Sequence, residues 1–135
     1  MMTNNNLTPD LFRVVDANLN RLKEGIRVVE DILRYRDNNK ELSSKLKKLR
    51  HLCQVKETIN LLKFRDTDND VLRSSIKSEL NRSGIDSIII ANFKRAEESS
   101  RVLEELYKLD NIEYSENFKY IRYELYKLEK KVLLG

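Results

Sequence analysis

VVDANLNRLKEGIRVVEDILRY, residues 14–35, decides the fold. Set Asn18 at zero on a helical wheel and advance about 100° per residue. Leu22, Val29, Ile32 and Leu33 then lie within about 60° of it, with Gly25 at about −20° and Arg21 at about −60°. The stretch predicts one long amphipathic helix, with an asparagine and an arginine on or beside its apolar stripe. Polar groups on a buried face are costly unless paired, a guanidinium most of all.

The same pattern returns 74 residues later. IIIANFKRAEESSRVLEELYKL, residues 88–109, aligns without gaps and shares seven positions with the first stretch. These are Ala17/Ala91, Asn18/Asn92, Arg21/Arg95, Glu24/Glu98, Arg27/Arg101, Val28/Val102 and Glu30/Glu104. The following segments also match, LKKLRHL (46–52) with FKYIRYE (118–124), which pairs Arg50 with Arg122. A duplicated helical hairpin is the simplest reading. Two hairpins bury four apolar stripes as an all-α four-helix bundle with a pseudo-twofold axis.

Turn signals set the boundaries within one domain, residues 1–135. Thr8-Pro9-Asp10 starts the first helix: a capping hydroxyl, a proline suited to the first turn and an acid at the positive end. That helix runs from about Leu11 to Arg36, and RDNN breaks it. A second helix is expected from about Glu41 to Lys63, with Leu42, Leu46, Leu49, Leu52 and Cys53 on one stripe. The first hairpin thus covers about 8–63, a connecting loop about 64–82 and the second hairpin about 83–134. The loop opens on FRDTDNDV (64–71) and holds a weak helical stretch, LRSSIKSEL. Ser83 or Asp86 caps a third helix that runs to about Leu109, DNIEYS (110–115) reads as a loop, and the last helix spans about Glu116–Leu134. No period-two strand is evident, and DSIIIANF runs straight into helical spacing.

Composition narrows the function. Three glycines and one proline in 135 residues mean few turns. The net charge of +4 arises from 26 cations interleaved with 22 anions. Such a mixed surface suits small anions as well as nucleic acid, but cations alternate with anions along the helices where nucleic-acid readers carry a one-sided basic face, so no nucleic-acid partner is expected. With no long apolar run and a polar start, no membrane span or signal peptide is expected, and the cytoplasm is the expected location. The lone Cys53 reads as a core thiol. His51, expected to be half-buried, has no second histidine with which to form a transition-metal site.

Several residues invite a binding role. Asn18, Arg21, Asn92 and Arg95 either line a polar pocket near the pseudo-axis or form a structural network. In the first case Gly25 and Ser99, one turn on, leave room. Arg27 with Asp31, and Arg101 with Glu105, have the spacing of solvated ion pairs. Arg50 and Arg122 stand beside aliphatic positions, as ligand contacts or as snorkelling surface arginines. Tyr120, Tyr123 and Tyr126 recur at helical spacing and read as core and rim packing. In the 64–71 loop, Arg65 precedes Asp66, Asp68 and Asp70, an oxygen-rich spacing able to hold Mg²⁺ or Ca²⁺, or simply a solvated acidic turn. There is no Walker loop, GxGxxG or nucleophile elbow. Ile112, Tyr114 and Phe118 offer an apolar edge for a homodimer, which nothing in the sequence demands.

The two ANxxRxxE helices with FRDTDND between them resemble an all-helical family of thiamine biosynthesis, which occurs alone or fused ahead of thiamine-phosphate synthase. The resemblance covers about residues 12–132. Its central loop pattern, RDTPGDxG, is matched by Arg65, Asp66, Thr67 and Asp70, while Asp68, Asn69 and Leu72 replace its proline and glycines. The family is regarded as a hydroxymethylpyrimidine-phosphate kinase. The resemblance therefore implies ATP and Mg²⁺ as co-substrates, and 4-amino-5-hydroxymethyl-2-methylpyrimidine phosphate as acceptor. In that setting Arg21 and Arg95 would clamp phosphates from two sides, with Asp66 catalytic beside them. Asp66 and Asp70 would hold Mg²⁺, and Arg65 would cover the phosphates. Asn18 and Asn92 would read the aminopyrimidine, and Glu24, Arg27, Glu98, Arg101, Arg50 and Arg122 would complete the binding surface. The alternatives are a non-catalytic partner or regulatory domain of thiamine-phosphate synthase, and a helical interaction module. A (β/α)₈ barrel needs about 250 residues, so this chain cannot be the synthase barrel itself.

Overall fold

A computed structural model describes residues 6–80 and 82–135, without the side chains of residues 77 and 78. All regular structure among them is helical. The first helix, α1, spans Pro9–Asp31. The Thr8 hydroxyl caps it by accepting from the Leu11 amide at 3.4 Å, with Pro9 in its first turn. Its buried stripe is Phe12, Val15, Leu19, Leu22, Ile26 and Val29, steps of three and four residues. The helix widens into a π-turn over Ile32–Arg36, where the Asp37 amide reaches back to the Ile32 carbonyl. It stops at Asn38, whose φ of 49° is the left-handed conformation that asparagine tolerates.

Helix α2 covers Lys40–Leu52 and α3 covers Thr58–Phe64. The single helix expected from 41 to 63 is therefore two. Tertiary contacts stabilise the break: Cys53 is fully buried, the Tyr114 hydroxyl accepts from the Lys56 amide at 3.1 Å, and Asn117 donates to the Leu52 carbonyl at 3.0 Å. Partners from the last helix thus take up backbone groups that the interrupted helix leaves free. The break turns Leu52 outward, to 43% exposure, and leaves His51 exposed rather than half-buried. Of LRSSIKSEL only Lys77–Leu80 is helical, as the single turn α4.

Helix α5, Ile85–Tyr107, starts from Gly84 with no side-chain cap, so neither Ser83 nor Asp86 has the capping role. Helix α6, Ile112–Leu134, starts four residues before the expected Glu116. Asn111 caps it by accepting from the Tyr114 amide at 3.2 Å, so IEYS is a first turn rather than a loop.

Around the bundle, α1 packs on α5, α5 on α6, α6 on α2 and α2 on α1, with α3 against α1. Phe93, Ala96, Leu103 and Tyr107 of α5 meet Phe118, Ile121 and Leu125 of α6 in a fully buried core. Two serines tie these helices together: Ser100 donates to the Phe118 carbonyl at 2.6 Å and Ser115 to the Glu104 carbonyl at 2.8 Å. Phe118 belongs to this core and Tyr114 packs against it, so neither forms the apolar edge expected for a dimer; Ile112 alone of the three is exposed. Tyr120, Tyr123 and Tyr126 are 54%, 51% and 40% exposed, at the rim rather than in the core. Among the described residues no helix is long and apolar enough to cross a membrane.

Candidate functional site

The position of α3 builds the site. Phe64 stacks on Phe12, ring centroids 6.0 Å apart, and so brings the following residue onto α1. There Arg65 donates to both carboxylate oxygens of Asp16, from Nε and Nη2, each at 2.7 Å. Asp16 also accepts from Asn20 at 3.3 Å and is only 7% exposed. A second arginine of α1, Arg13, donates to the Asp66 carbonyl at 3.3 Å. The acidic loop is thus held down along α1 by two guanidinium groups.

Between helix and loop lies a cleft of about 590 Å³, lined among others by Arg13, Arg21, Arg65, Asp66, Thr67 and Asp70. Arg21, Arg65, Asp66 and Asp70, singled out in the sequence, therefore meet. Arg21 makes no ion pair among the described residues, so its charge is available to a ligand. Arg65 keeps Nη1 without a hydrogen bond among them. Asp66 accepts from the side chain and amide of Asn69 at 2.6 and 3.2 Å, bonds that lower its pKa below the usual carboxylate range. Asp70 accepts from the Leu72 amide at 3.0 Å, and Asp68 faces Arg73 at 3.4 Å. Asn69 thus fixes the loop by clasping Asp66 where the resembled pattern has a glycine. No group of three or more His, Cys, Asp or Glu suited to a metal occurs among the described residues.

Other candidates lie elsewhere. Glu24, Arg27 and Arg50 line a smaller cleft of about 360 Å³ with Lys23, His51 and Gln54. Arg27 pairs with Asp31 at 3.5 Å and Arg101 with Glu105 at 3.0 Å, the exposed i,i+4 pairs expected from the spacing. Arg95, Glu98 and Arg101 are exposed on α5 and line none of the clefts described. Arg21 and Arg95 therefore do not converge, and the two-sided clamp is not the arrangement found. Nor do the asparagines line a pocket at the helix interface. Asn18 donates to the Val14 carbonyl at 2.9 Å and Asn92 to the Ile88 carbonyl at 2.8 Å, each folded back on its own helix. Gly25 leaves no room beside them: a Cβ there would stand 2.9 Å from the Asn92 carbonyl oxygen and 3.3 Å from Ala96 Cβ. Ser99 is buried and donates to the Arg95 carbonyl at 2.6 Å.

Arg50 and Arg122 are anchors rather than snorkelling surface groups. Arg50 donates to both oxygens of Glu30, at 2.7 and 3.1 Å, and Glu30 is 1% exposed. Burial acts to raise the Glu30 pKa, but the hydrogen bonds and charge of Arg50 outweigh it and the net shift is downward. Arg122 donates twice to Glu104 Oε1, at 3.1 and 2.8 Å, with its guanidinium over the Tyr123 ring at 4.9 Å. The same contact, arginine to buried glutamate, thus joins α2 to α1 and α6 to α5. Burial drives the Cys53 thiol pKa up to about 12, consistent with an inert core group.

Sequence reasoning missed Asp16, Arg13 and Asn20. A signal for them exists: 13, 16, 17, 20 and 21 fall on one stripe of α1, polar apart from Ala17. Asp16's partner Arg65 lies 49 residues further on, a contact that helical spacing cannot show.

Residues 13–131 match the ThiD2 family, and the chain belongs to it. It is 38% identical over 126 residues to a protein of Thermosynechococcus vestitus named thiamine-phosphate synthase, covering 93% of this chain and 36% of that one. Proteins of the same name from Nostoc punctiforme and a Synechocystis species are 37% and 38% identical over 91% of the chain, which covers 35% and 36% of their lengths. The chain thus spans about a third of the curated relatives it matches, and those relatives bear the name of the synthase, not of a kinase. No solved structure matches it.

Proposed function

We propose that this chain serves thiamine biosynthesis by phosphorylating 4-amino-5-hydroxymethyl-2-methylpyrimidine phosphate to the diphosphate with Mg-ATP. The observation that carries the reading is the α1–loop cleft, where Arg21 stands unpaired among the described residues beside Arg13 and Arg65. Both reactants are polyanions, so catalysis is mainly positioning and charge neutralisation, for which guanidinium groups suit. An oxygen of the acceptor phosphate attacks the γ-phosphorus, the bond to the β-bridging oxygen breaks and ADP leaves. The acceptor is already ionised near neutrality, so the site needs no strong general base. In this reading Arg21 and Arg13 bind phosphate oxygens, and Arg65 does so through its free Nη1 while Asp16 fixes its plane. Asp66 and Asp70 would hold the Mg²⁺ of the nucleotide, Asp66 after release from Asn69, and the ion would supply charge neutralisation at the phosphates.

The reading is tested by following ADP release with the pyrimidine phosphate as acceptor, for the unsubstituted chain and for Arg21→Ala. Acceptor-dependent ADP release that falls about 100-fold or more in the variant supports it, a loss of the size seen when a charge-stabilising donor is removed. Equal release by both proteins excludes the cleft as the site. A second reading, a partner domain of thiamine-phosphate synthase, is supported by the relatives, in which this region makes up about a third of a protein of that name. It would be favoured by an inactive chain that co-purifies with a synthase barrel.

A further inference from the structure

We propose that the groove between α2 and α6 is a second, separate site for a small aromatic or heteroaromatic phosphate. The groove encloses about 600 Å³, within the range of small-molecule sites. Leu49 and Leu128 form a buried floor, continued by Leu52 at 43% exposure, and the half-exposed Tyr120 ring also lines it. Lysines stand around the floor in two kinds. Lys45 and Lys127 are paired, with Glu41 at 3.2 Å and Glu124 at 2.8 Å. Lys48 and Lys131 have no carboxylate partner among the described residues.

An apolar bed with an aromatic ring, bordered by two uncommitted ammonium groups, complements a flat ring carrying a phosphate. The ring covers Leu52 and the floor, and the lysines meet the phosphate as point charges. The enclosed volume and the two uncommitted lysines together select a small anionic molecule. No residue of α1 lines the groove, so its occupant does not reach Arg21. The site goes beyond the phosphoryl-transfer reading and does not rest on it.

Amide NMR titration of the full chain tests it, with adenosine 5′-monophosphate, adenosine and inorganic phosphate as probes. The monophosphate is expected to shift the Leu52, Tyr120 and Leu128 amides saturably, at least about fivefold more tightly than either fragment. In the Lys48→Glu, Lys131→Glu double variant, both positions being exposed, its affinity in the groove falls by about tenfold or more while the core amides stay in place. The proposal is overturned if those amides do not move, if phosphate alone reproduces the shifts, or if they persist in the double variant. Amides of Arg21 and Asp66 report the other cleft in the same spectra, so the two sites stand or fall separately.

Discussion

Glu97 shows what single residues contribute to this fold. It is 2% exposed on α5, its Oε2 has no hydrogen-bond partner among the described residues, and Lys94 Nζ bridges its Oε1 at 3.3 Å to Glu129 Oε1 at 3.1 Å. Burial, then the hydrogen bond and charge of Glu129, push its pKa up to about 7, while Lys94 pulls the other way. The folded chain therefore holds this proton more tightly than the unfolded one. The group's stability contribution is full below its ordinary pKa of 4.5 and is lost as pH rises through about 7. Glu97→Gln should stabilise the chain on the order of 1–3 kcal/mol at pH 8 and change little at pH 4, read from urea midpoints. An equal effect at both pH values would contradict this. Arg122 behaves differently, because its partner Glu104 is a buried carboxylate that the guanidinium holds through two hydrogen bonds. Arg122→Ala should cost about 3–5 kcal/mol by leaving Glu104 unpaired, whereas Arg101→Ala should leave the melting midpoint where it was. At the cleft, Asp16→Asn should free Arg65. We expect faster hydrogen exchange over residues 65–71 and an acceptor KM raised about five- to tenfold, with kcat less affected. Unchanged exchange would mean that the pair does not hold the loop.

At the scale of elements, Gly25 governs how closely α1 approaches α5. A methyl group there meets a backbone carbonyl at 2.9 Å, and a carbonyl held in a helix cannot turn aside as a flexible side chain can. Gly25→Ala gains up to about 1 kcal/mol of helix propensity but should lose more through the forced separation, for a net loss of about 1–2 kcal/mol in chemical denaturation. A stabilised variant would show that the helices separate at little cost. The sequence made α1 and α5 legible because their apolar steps run unbroken for more than twenty residues. It concealed the break after Leu52, since the partners that stabilise it, Tyr114 and Asn117, sit about 60 residues away. The early start of α6 was hidden differently: Asn111 is both a turn residue and a cap, and only the structure chooses.

For the whole molecule, the all-helical bundle followed from four amphipathic stretches. The candidate site followed only in part. Arg21 and the 65–70 loop were legible as a basic helix position and an acidic run. Their meeting depends on Phe64 stacking on Phe12, a tertiary contact that periodicity does not encode. The asparagines misled because a polar residue on a buried stripe can satisfy itself on its own helix, as Asn18 and Asn92 do. The arginines at 50 and 122 misled because buried glutamates one helix away claim them. What remains is one cleft, with cations on α1 and carboxylates on the loop beside it. The most direct test is ³¹P NMR of the purified chain with Mg-ATP and the pyrimidine monophosphate, with a competent kinase run in parallel. The pyrimidine diphosphate and ADP should appear together in equal amounts, and both should form about 100-fold or more slowly with Arg21→Ala. An unchanged spectrum while the control turns over would contradict it.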